Sequence, residues 1–190
     1  SATIPPEIKK FTHGIMHNPE YVEFSVSQPA DGVIQGVYLV PEAKKLNVIR
    51  TLLTGKKLDR VLIFSATKKN VKELEKEFRQ MGLDARAMHS DLDQNTRNEI
   101  MLAFRNKKVP VLIATDIVSR GIDIDNIELV INANVPRDPE DYVHRVGRTA
   151  RAKNSGVAIT LVDRQEEKYL TKIEKLIGYR IYRLPSLSSI

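Results

Sequence analysis

Three arginines, Arg145, Arg148 and Arg151, recur at steps of three in the run His144-Arg145-Val146-Gly147-Arg148-Thr149-Ala150-Arg151. On a helix such steps turn by about 300°, so the three guanidinium groups would drift only slowly off one face. Asp141 precedes Arg145 by one helical turn and could pair with it, whereas Arg148 has only His144, Arg145, Arg151 and Ala152 at helical neighbour spacing. Like charges stacked in this way repel by roughly a few tenths of a kcal/mol each. A chain that accepts the repulsion without nearby carboxylates is expected to meet an anion from outside. Planar, permanently charged forks of donors suit phosphate.

Three further groupings carry polar chemistry. The run Ala114-Thr115-Asp116-Ile117-Val118-Ser119-Arg120-Gly121-Ile122-Asp123 follows an apolar stretch. It therefore falls where α/β folds bind ligands, at a carboxyl strand end. There Gly121 permits a sharp turn and Asp123 offers a carboxylate to a ribose hydroxyl; equally, Asp116 could cap a helical turn and Asp123 decorate a loop. Thr67, Lys68 and Lys69 stand at a helix start, where free N–H groups favour phosphate, although the lysines also read as ordinary solvated surface. Lys72, Lys76, Glu73, Glu75 and Glu77 read as a solvated helix face. Gln94 and Arg97 lie one helical turn apart near another helix start.

The elements that must position these residues can be read from apolar periodicity. Strands are expected at Val33–Val40, Arg60–Ser65, Asp84–Met88, Val111–Thr115, Leu129–Asn132 and Val157–Val162. Helices are expected from Glu42 through Leu53, at Lys68–Met81 with Thr67 as N-cap and Gly82 as stop, and at Thr96–Asn106 with Ile100, Ala103 and Phe104 inward. Two more are expected at Pro139–Val146 and Glu166–Ile177. Strands alternating with helices of this length imply an α/β fold, with a mostly parallel central sheet and helices on both faces. Residues 1–27 differ: a Pro5-Pro6 pair, a short amphipathic stretch and an apolar stretch, then a turn-rich linker over 27–32. One helix and one strand cannot bury a core alone. We place a boundary there, 1–27 and 28–190, and expect residues 4–26 to be loosely held or exchanged with a neighbouring molecule.

Bulk properties narrow the class. The 190 residues fit one domain with a short appendage, and 42% hydrophobic residues suffice for a core. The absence of cysteine excludes disulfides and thiolate catalysis, and four scattered histidines without metal-ligand spacing argue against a metal site. A formal charge of +6 leans mildly towards a polyanionic partner. No apolar run approaches membrane-spanning length, so no membrane partner is expected and a cytoplasmic location is.

Taken together, the two runs around Asp116–Asp123 and His144–Arg151 resemble motifs V and VI of superfamily 2 helicases, in the form typical of DEAD-box RNA helicases. Leu62-Ile63-Phe64-Ser65-Ala66-Thr67 looks like motif IV, Gln94-Asn95-Thr96-Arg97 like motif IVa, and Ser1-Ala2-Thr3 like motif III, which closes the family's first RecA-like domain. The resemblance implies a RecA-like three-layer fold. It implies that Arg148 and Arg151 are arginine fingers for the γ-phosphate of ATP, and that Asp123 binds the ribose. It implies RNA backbone contacts from Thr67, Lys68, Gln94, Arg97, Thr115 and Gly121. His144, Arg145, Ser1 and Thr3 are implied to hold interdomain geometry, Arg145 having the Asp141 pair as its alternative use. Ala150, Ser119 and Ser90 stand where the family commonly has Gly, Ala and Gly, and Ser90 puts the contact at its turn in doubt because glycine allows closer backbone approach.

Two parts of a phosphoryl-transfer apparatus are missing from these residues. There is no G-x-x-x-x-G-K-[ST] loop, since the one Gly-Lys pair, Gly55-Lys56, has Arg50 where the first glycine belongs, and there is no Asp-Glu-Ala-Asp. ATP with Mg²⁺ is therefore expected to be held mainly by an N-terminal RecA-like domain of the same protein. The chain is read as the C-terminal half of an RNA-stimulated ATPase, inactive alone. A free-standing RNA-binding module is the competing expectation, and it would bind RNA at physiological salt without ATP.

Overall fold

The structure, a computed structural model, describes residues 29, 32–56, 58–116, 127–149 and 156–185. The expected 1–27 segment, with Ser1 and Thr3, lies outside them, as do Gly121, Asp123 and Arg151. Seven strands, β1 (Val33–Leu39), β2 (Val61–Phe64), β3 (Ala85–Met88), β4 (Val111–Ala114), β5 (Leu129–Asn132), β6 (Gly156–Val162) and β7 (Tyr182–Arg183), form one sheet in the order β3-β4-β2-β5-β6-β1-β7. Every pairing is parallel. Among the described residues five helices accompany them: α1 (Lys45–Leu53, after a 3₁₀ turn at Glu42–Lys44), α2 (Lys68–Gln80), α3 (Gln94–Arg105), α4 (Pro139–Val146) and α5 (Glu167–Ile177).

Alternation along the central strands sorts the core into two layers. Val61, Ile63, Val111, Ile113, Leu129 and Ile131 pack with Val48, Ile49, Val71, Leu74 and Phe78, so α1 and α2 cover one face. Leu62, Phe64, Leu112, Ala114 and Val130 pack with Phe104, Tyr142, Val143, Val146, Leu170 and Ile173, so α3, α4 and α5 cover the other. β2 and β4 are buried at every residue, which is why they read as continuous apolar runs rather than alternating ones.

The helix ends follow side-chain chemistry. Thr67 Oγ1 accepts the Asn70 N–H at 3.2 Å and starts α2. α3 starts at Gln94 rather than at the expected Thr96, because Asp93 accepts the Thr96 N–H at 2.9 Å. This puts Gln94 in the first turn. Of the three α3 residues expected inward, only Phe104 is fully buried; Ile100 and Ala103 are half-buried. β7 was not expected from the sequence: its two residues, paired through Gly36–Tyr182 and Val37–Arg183, are too few to show a period.

The chain leaves β2 for β3, returns to β4, and then crosses β2 to reach β5 and β6. The carboxyl ends of β4, β2 and β5 thus flank a topological switch point, where open α/β sheets bind ligands. The turn beyond α4 is fixed to this layer by Thr149, whose buried hydroxyl donates to the Ile127 carbonyl at 2.6 Å. It packs against Gly156 so closely that a Cβ there would meet the Thr149 carbonyl and hydroxyl. Gly156→Ala is expected to destabilise the domain by roughly 1–3 kcal/mol, read as a lower urea midpoint with an unchanged slope.

Candidate functional site

The side chain at the centre of the switch point is Arg145. α4 begins at Asp138, whose carboxylate accepts the Glu140 N–H at 3.0 Å, with Pro139 preset for the first helical position. Two turns later Arg145 projects inward, 3% exposed. Its guanidinium makes a two-pronged pair with Asp116 beyond β4, Nε and Nη2 each 2.6 Å from a carboxylate oxygen. Nη1 donates to Asn132 Oδ1 at 3.1 Å and to the Asn134 carbonyl at 3.0 Å, both at the end of β5. The same group stacks 4.9 Å from the centre of the Phe64 ring at the end of β2. One guanidinium therefore joins three neighbouring strand ends.

This corrects one of the uses that the sequence offers Arg145. Its carboxylate is Asp116 rather than Asp141, and its donors meet groups of this domain at three strand ends. The reason lies in topology, because Asp116 is 29 residues away in sequence and becomes a neighbour only when β4 and β5 flank β2. The helical stacking of the Arg145 and Arg148 guanidinium groups is corrected too. α4 ends at Val146, and Arg148 and Thr149 continue in a tight turn whose N–H groups donate to the Arg145 and Val146 carbonyls at 3.2 and 3.1 Å. Arg148 is half-buried there and is itself engaged by another group of the chain. His144 and Asp141 are half-buried on α4.

A second node, absent from the sequence reading, extends the network. Asn134 Oδ1 accepts from the Ala66 N–H at 3.2 Å, and its amide donates to Glu166 at 3.2 Å. Glu166 also accepts from the Val135 and Asp163 N–H groups and from the buried Lys45 ammonium at 2.6 Å. Lys45 is gripped in addition by Glu42 at 2.8 Å. The signal that could have found Glu166 is the Asp163-x-x-Glu166 spacing. Asp163 accepts the Glu166 N–H at 2.9 Å while Glu166 accepts the Asp163 N–H, the reciprocal pattern of a capping box. Beside these residues lies a cleft of about 630 Å³ whose lining includes six carboxylates (Glu42, Asp116, Asp138, Asp141, Asp163, Glu166) against Arg137, Arg145 and Lys168.

On the other side of β2 the structure gathers the residues expected to meet RNA. Phe64, Ala114 and Met88 are register partners, so Thr67, Thr115 and the turn after β3 leave the sheet side by side. Lys68 and Lys72 each bond one oxygen of Asp91, at 2.9 and 3.0 Å. Lys72 is thus more than part of a solvated helix face. These two hydrogen bonds hold the Asp91 carboxyl down at about 2. Burial, and then Lys72, lower the pKa of His89 from its usual 6.5. Arg97 donates to the Ser90 carbonyl at 3.1 Å, and the exposed Gln94 donates to Asn98 at 3.0 Å. Ser90 does not adopt the left-handed backbone that favours glycine, so its Cβ carries no backbone strain.

A parallel sheet between two helix layers, with polar groups gathered at its carboxyl edge, is the architecture of a RecA-like domain. The model of the helicase conserved C-terminal domain matches residues 44–153, more than half of the chain. The chain belongs to that family, and its relatives and structural neighbours make it the C-terminal RecA-like domain of a DEAD-box helicase. It is 37% identical over 185 residues to the ATP-dependent RNA helicase CshA of Limosilactobacillus reuteri, covering 97% of this chain and 37% of that protein. It is 37% identical over 189 residues to the ATP-dependent RNA helicase DbpA of Bacillus subtilis, covering 99% and 40%. Among solved structures it resembles S. cerevisiae Dbp5 bound to RNA and ADP BeF3, with a TM-score of 0.86 and 31% identity over 97% of this chain and 50% of that one. It also resembles a DEAD box protein from Methanococcus jannaschii, with a TM-score of 0.77, 36% identity, and 97% and 50% coverage. The chain thus spans two-fifths or less of the length of these curated relatives.

Two outcomes follow from the geometry. Asp116→Ala leaves the Arg145 guanidinium buried without its counter-charge and is expected to cost roughly 2–4 kcal/mol in urea unfolding, on the low side for a broken buried pair because Asp116 is partly exposed. The depressed Asp91 pKa stabilises the fold fully above the carboxylate's ordinary 3.8, and this is lost as pH falls through about 2. The Tm difference between wild type and Asp91→Asn is therefore expected to shrink over that window.

Proposed function

We propose that this domain works as one half of an ATP-dependent RNA helicase, closing on a second RecA-like domain of the same protein when ATP and RNA are bound. Arg148 and Arg151 are the arginine fingers of this reading, and Asp123 the ribose contact. Thr67, Lys68, Gln94, Arg97, Thr115 and Gly121 meet the RNA backbone, while His144, Ser1 and Thr3 maintain the interdomain geometry. The observation that carries the proposal is the division of the carboxyl edge around Arg145. Backbone-binding candidates converge beyond β3, β4 and β2, and the turn bearing Arg148 is braced beside the switch point.

Charge supports the same division. The cleft beside Glu166 is lined by more carboxylates than cations, which favours the β3-β4-β2 side for the RNA backbone, with Thr67 at the border of the two. Contacts of this kind read backbone rather than bases, so the expected RNA binding is largely independent of sequence. Mg²⁺ would neutralise charge on the ATP phosphates, and this chain's described residues do not suit it. Glu42 and Glu166, two members of the carboxylate trio with Asp163, already hold the Lys45 ammonium. The metal and most of the ATP phosphate contacts are assigned to the other domain.

The chemical role of this half is electrostatic. A guanidinium aimed at the γ-phosphate stabilises charge that develops during transfer, and in related NTPases it is worth roughly 10³–10⁵ in rate. In one polypeptide with a Walker A and Asp-Glu-Ala-Asp domain, RNA-stimulated ATP hydrolysis is expected, and Arg148→Ala should lower turnover by roughly 10³-fold or more with Tm nearly unchanged. Asp123→Ala should weaken nucleotide affinity. Wild-type turnover in Arg148→Ala would refute the finger role. Tight RNA binding by these 190 residues alone, at physiological salt and without ATP, would instead favour a free-standing RNA-binding module.

A further inference from the structure

Two lysines and one aspartate on the RNA-facing side of the edge form an arrangement that the arginine-finger chemistry does not use. Lys68 and Lys72 lie one turn apart on α2, and side by side their ammonium groups would repel. The repulsion is relieved from another element, the turn after β3, where Asp91 gives one oxygen to each lysine at 2.9 and 3.0 Å. The three side chains are 58%, 51% and 39% exposed, so the assembly is open to solvent. The surrounding groups are already engaged. Lys69 pairs outward with Glu73, Glu75 accepts the Ala87 N–H, and Arg97 holds the Ser90 carbonyl.

A carboxylate that presents two oxygens and one negative charge to two ammonium groups has the shape and charge of a bound phosphodiester. Lysine is a compact point charge with three rotatable donors, so it can exchange one anion for another without moving its backbone. An exposed pair of this kind is weak, and a phosphate can displace it. A phosphate arriving while Asp91 stays in place would meet a like charge across the same two ammonium groups.

We propose that Asp91 is a built-in competitor for the RNA backbone, occupying Lys68 and Lys72 in the free domain and yielding them to a phosphate when RNA binds. This rests on the reading of the β3-β4-β2 side as the RNA face and adds a regulatory element to it. The carboxylate keeps a lysine pair organised without leaving it as a standing trap for any polyanion. It lowers RNA affinity in the open, nucleotide-free state, where a helicase must release its substrate. It also makes Asp91 a determinant of the salt dependence of binding, because the repelled phosphate regains its full counterion exchange only when the competing charge is gone.

The test is fluorescence anisotropy of a fluorescein-labelled single-stranded uridine oligonucleotide, titrated with the 190-residue chain over a series of potassium chloride concentrations. Asp91→Asn is expected to tighten binding roughly three- to tenfold and to steepen the slope of log affinity against log salt by about 0.7 for each phosphate newly neutralised. Lys68→Gln with Lys72→Gln is expected to weaken binding, and adding Asp91→Asn to that pair should change nothing further. Asp91→Ser, equally uncharged but smaller, should reproduce the effect of Asp91→Asn, and circular dichroism checks that each variant is folded. If Asp91→Asn weakens binding or leaves it unchanged while the lysine pair weakens it, Asp91 positions the lysines and the competitor role is overturned. If the lysine pair binds RNA as wild type does, the RNA-face reading itself fails, and the proposal with it.

Discussion

The arrangement depends on a buried cation. Arg145 sits over the end of β2 with four hydrogen bonds to groups beyond β4 and β5 and an aromatic ring beneath it. Desolvating a guanidinium costs several kcal/mol. Here that cost is offset by a bidentate counter-charge and by carbonyl acceptors aligned with a planar fork of donors. A well-packed apolar side chain of similar volume could stabilise the fold as much or more, but it could not fix three strand ends relative to one another. Because the next turn begins at Arg145, its bonds also set where Arg148 stands. A structural arginine and the proposed finger are therefore coupled through three residues of backbone.

The network spreads from this point across the sheet. Asn134 passes it from Arg145 to Glu166, and Glu166 passes it to Lys45 at the start of α1, so the ends of β2, β5 and β6 and the helix after β1 share one set of charged bonds. The acceptors Asp116, Asn134 and Glu166 lie past the carboxyl ends of β4, β5 and β6, where backbone groups need other partners. The same exposure that makes a carboxyl edge a ligand site makes it a place where side chains must complete the structure. In this domain the two uses are separated. The β5 and β6 side is tied together by internal ion pairs beside a cleft, and the turn after β3 with the start of α2 keeps its charged groups near solvent.

How much of this was legible in the sequence depended on the range of the interaction. Local signals were read well: Leu129–Asn132 and Pro139–Val146 were expected with the bounds the structure gives them, and Thr67 caps α2 as its type and position implied. These rest on periodicity and on a side chain meeting a backbone three residues away. Interactions formed by topology were not legible. Arg145 and Asp116, Asn134 and Ala66, and Lys45 and Glu166 lie 29, 68 and 121 residues apart, and nothing along the chain links them before the strand order is known. The helical picture of Arg145 and Arg148 failed for a related reason. Spacing by three says which side chains share a helical face but not that the helix continues, and Gly147 closes α4 before Arg148 is reached. β7 was missed because two residues carry no pattern at all.

Burial grades the strength of these charged contacts along the edge, and the gradient fits a domain that must be rigid in one place and exchangeable in another. The Arg145–Asp116 pair is largely withdrawn from solvent and is screened little by salt, so its geometry persists whatever the ionic conditions. The Lys68–Asp91–Lys72 triple is exposed, screened within a Debye length of about 10 Å at 0.1 M salt, and held by bonds no stronger than those a phosphate would offer. A pair that must place a guanidinium to within a fraction of an ångström cannot also be the pair that opens for a passing ligand. Between them lies β2, buried at every residue, whose end carries the Phe64 ring on one side and leads to Thr67 and Lys68 on the other. That buried strand sets the two kinds of electrostatics apart, one on each side of its carboxyl end.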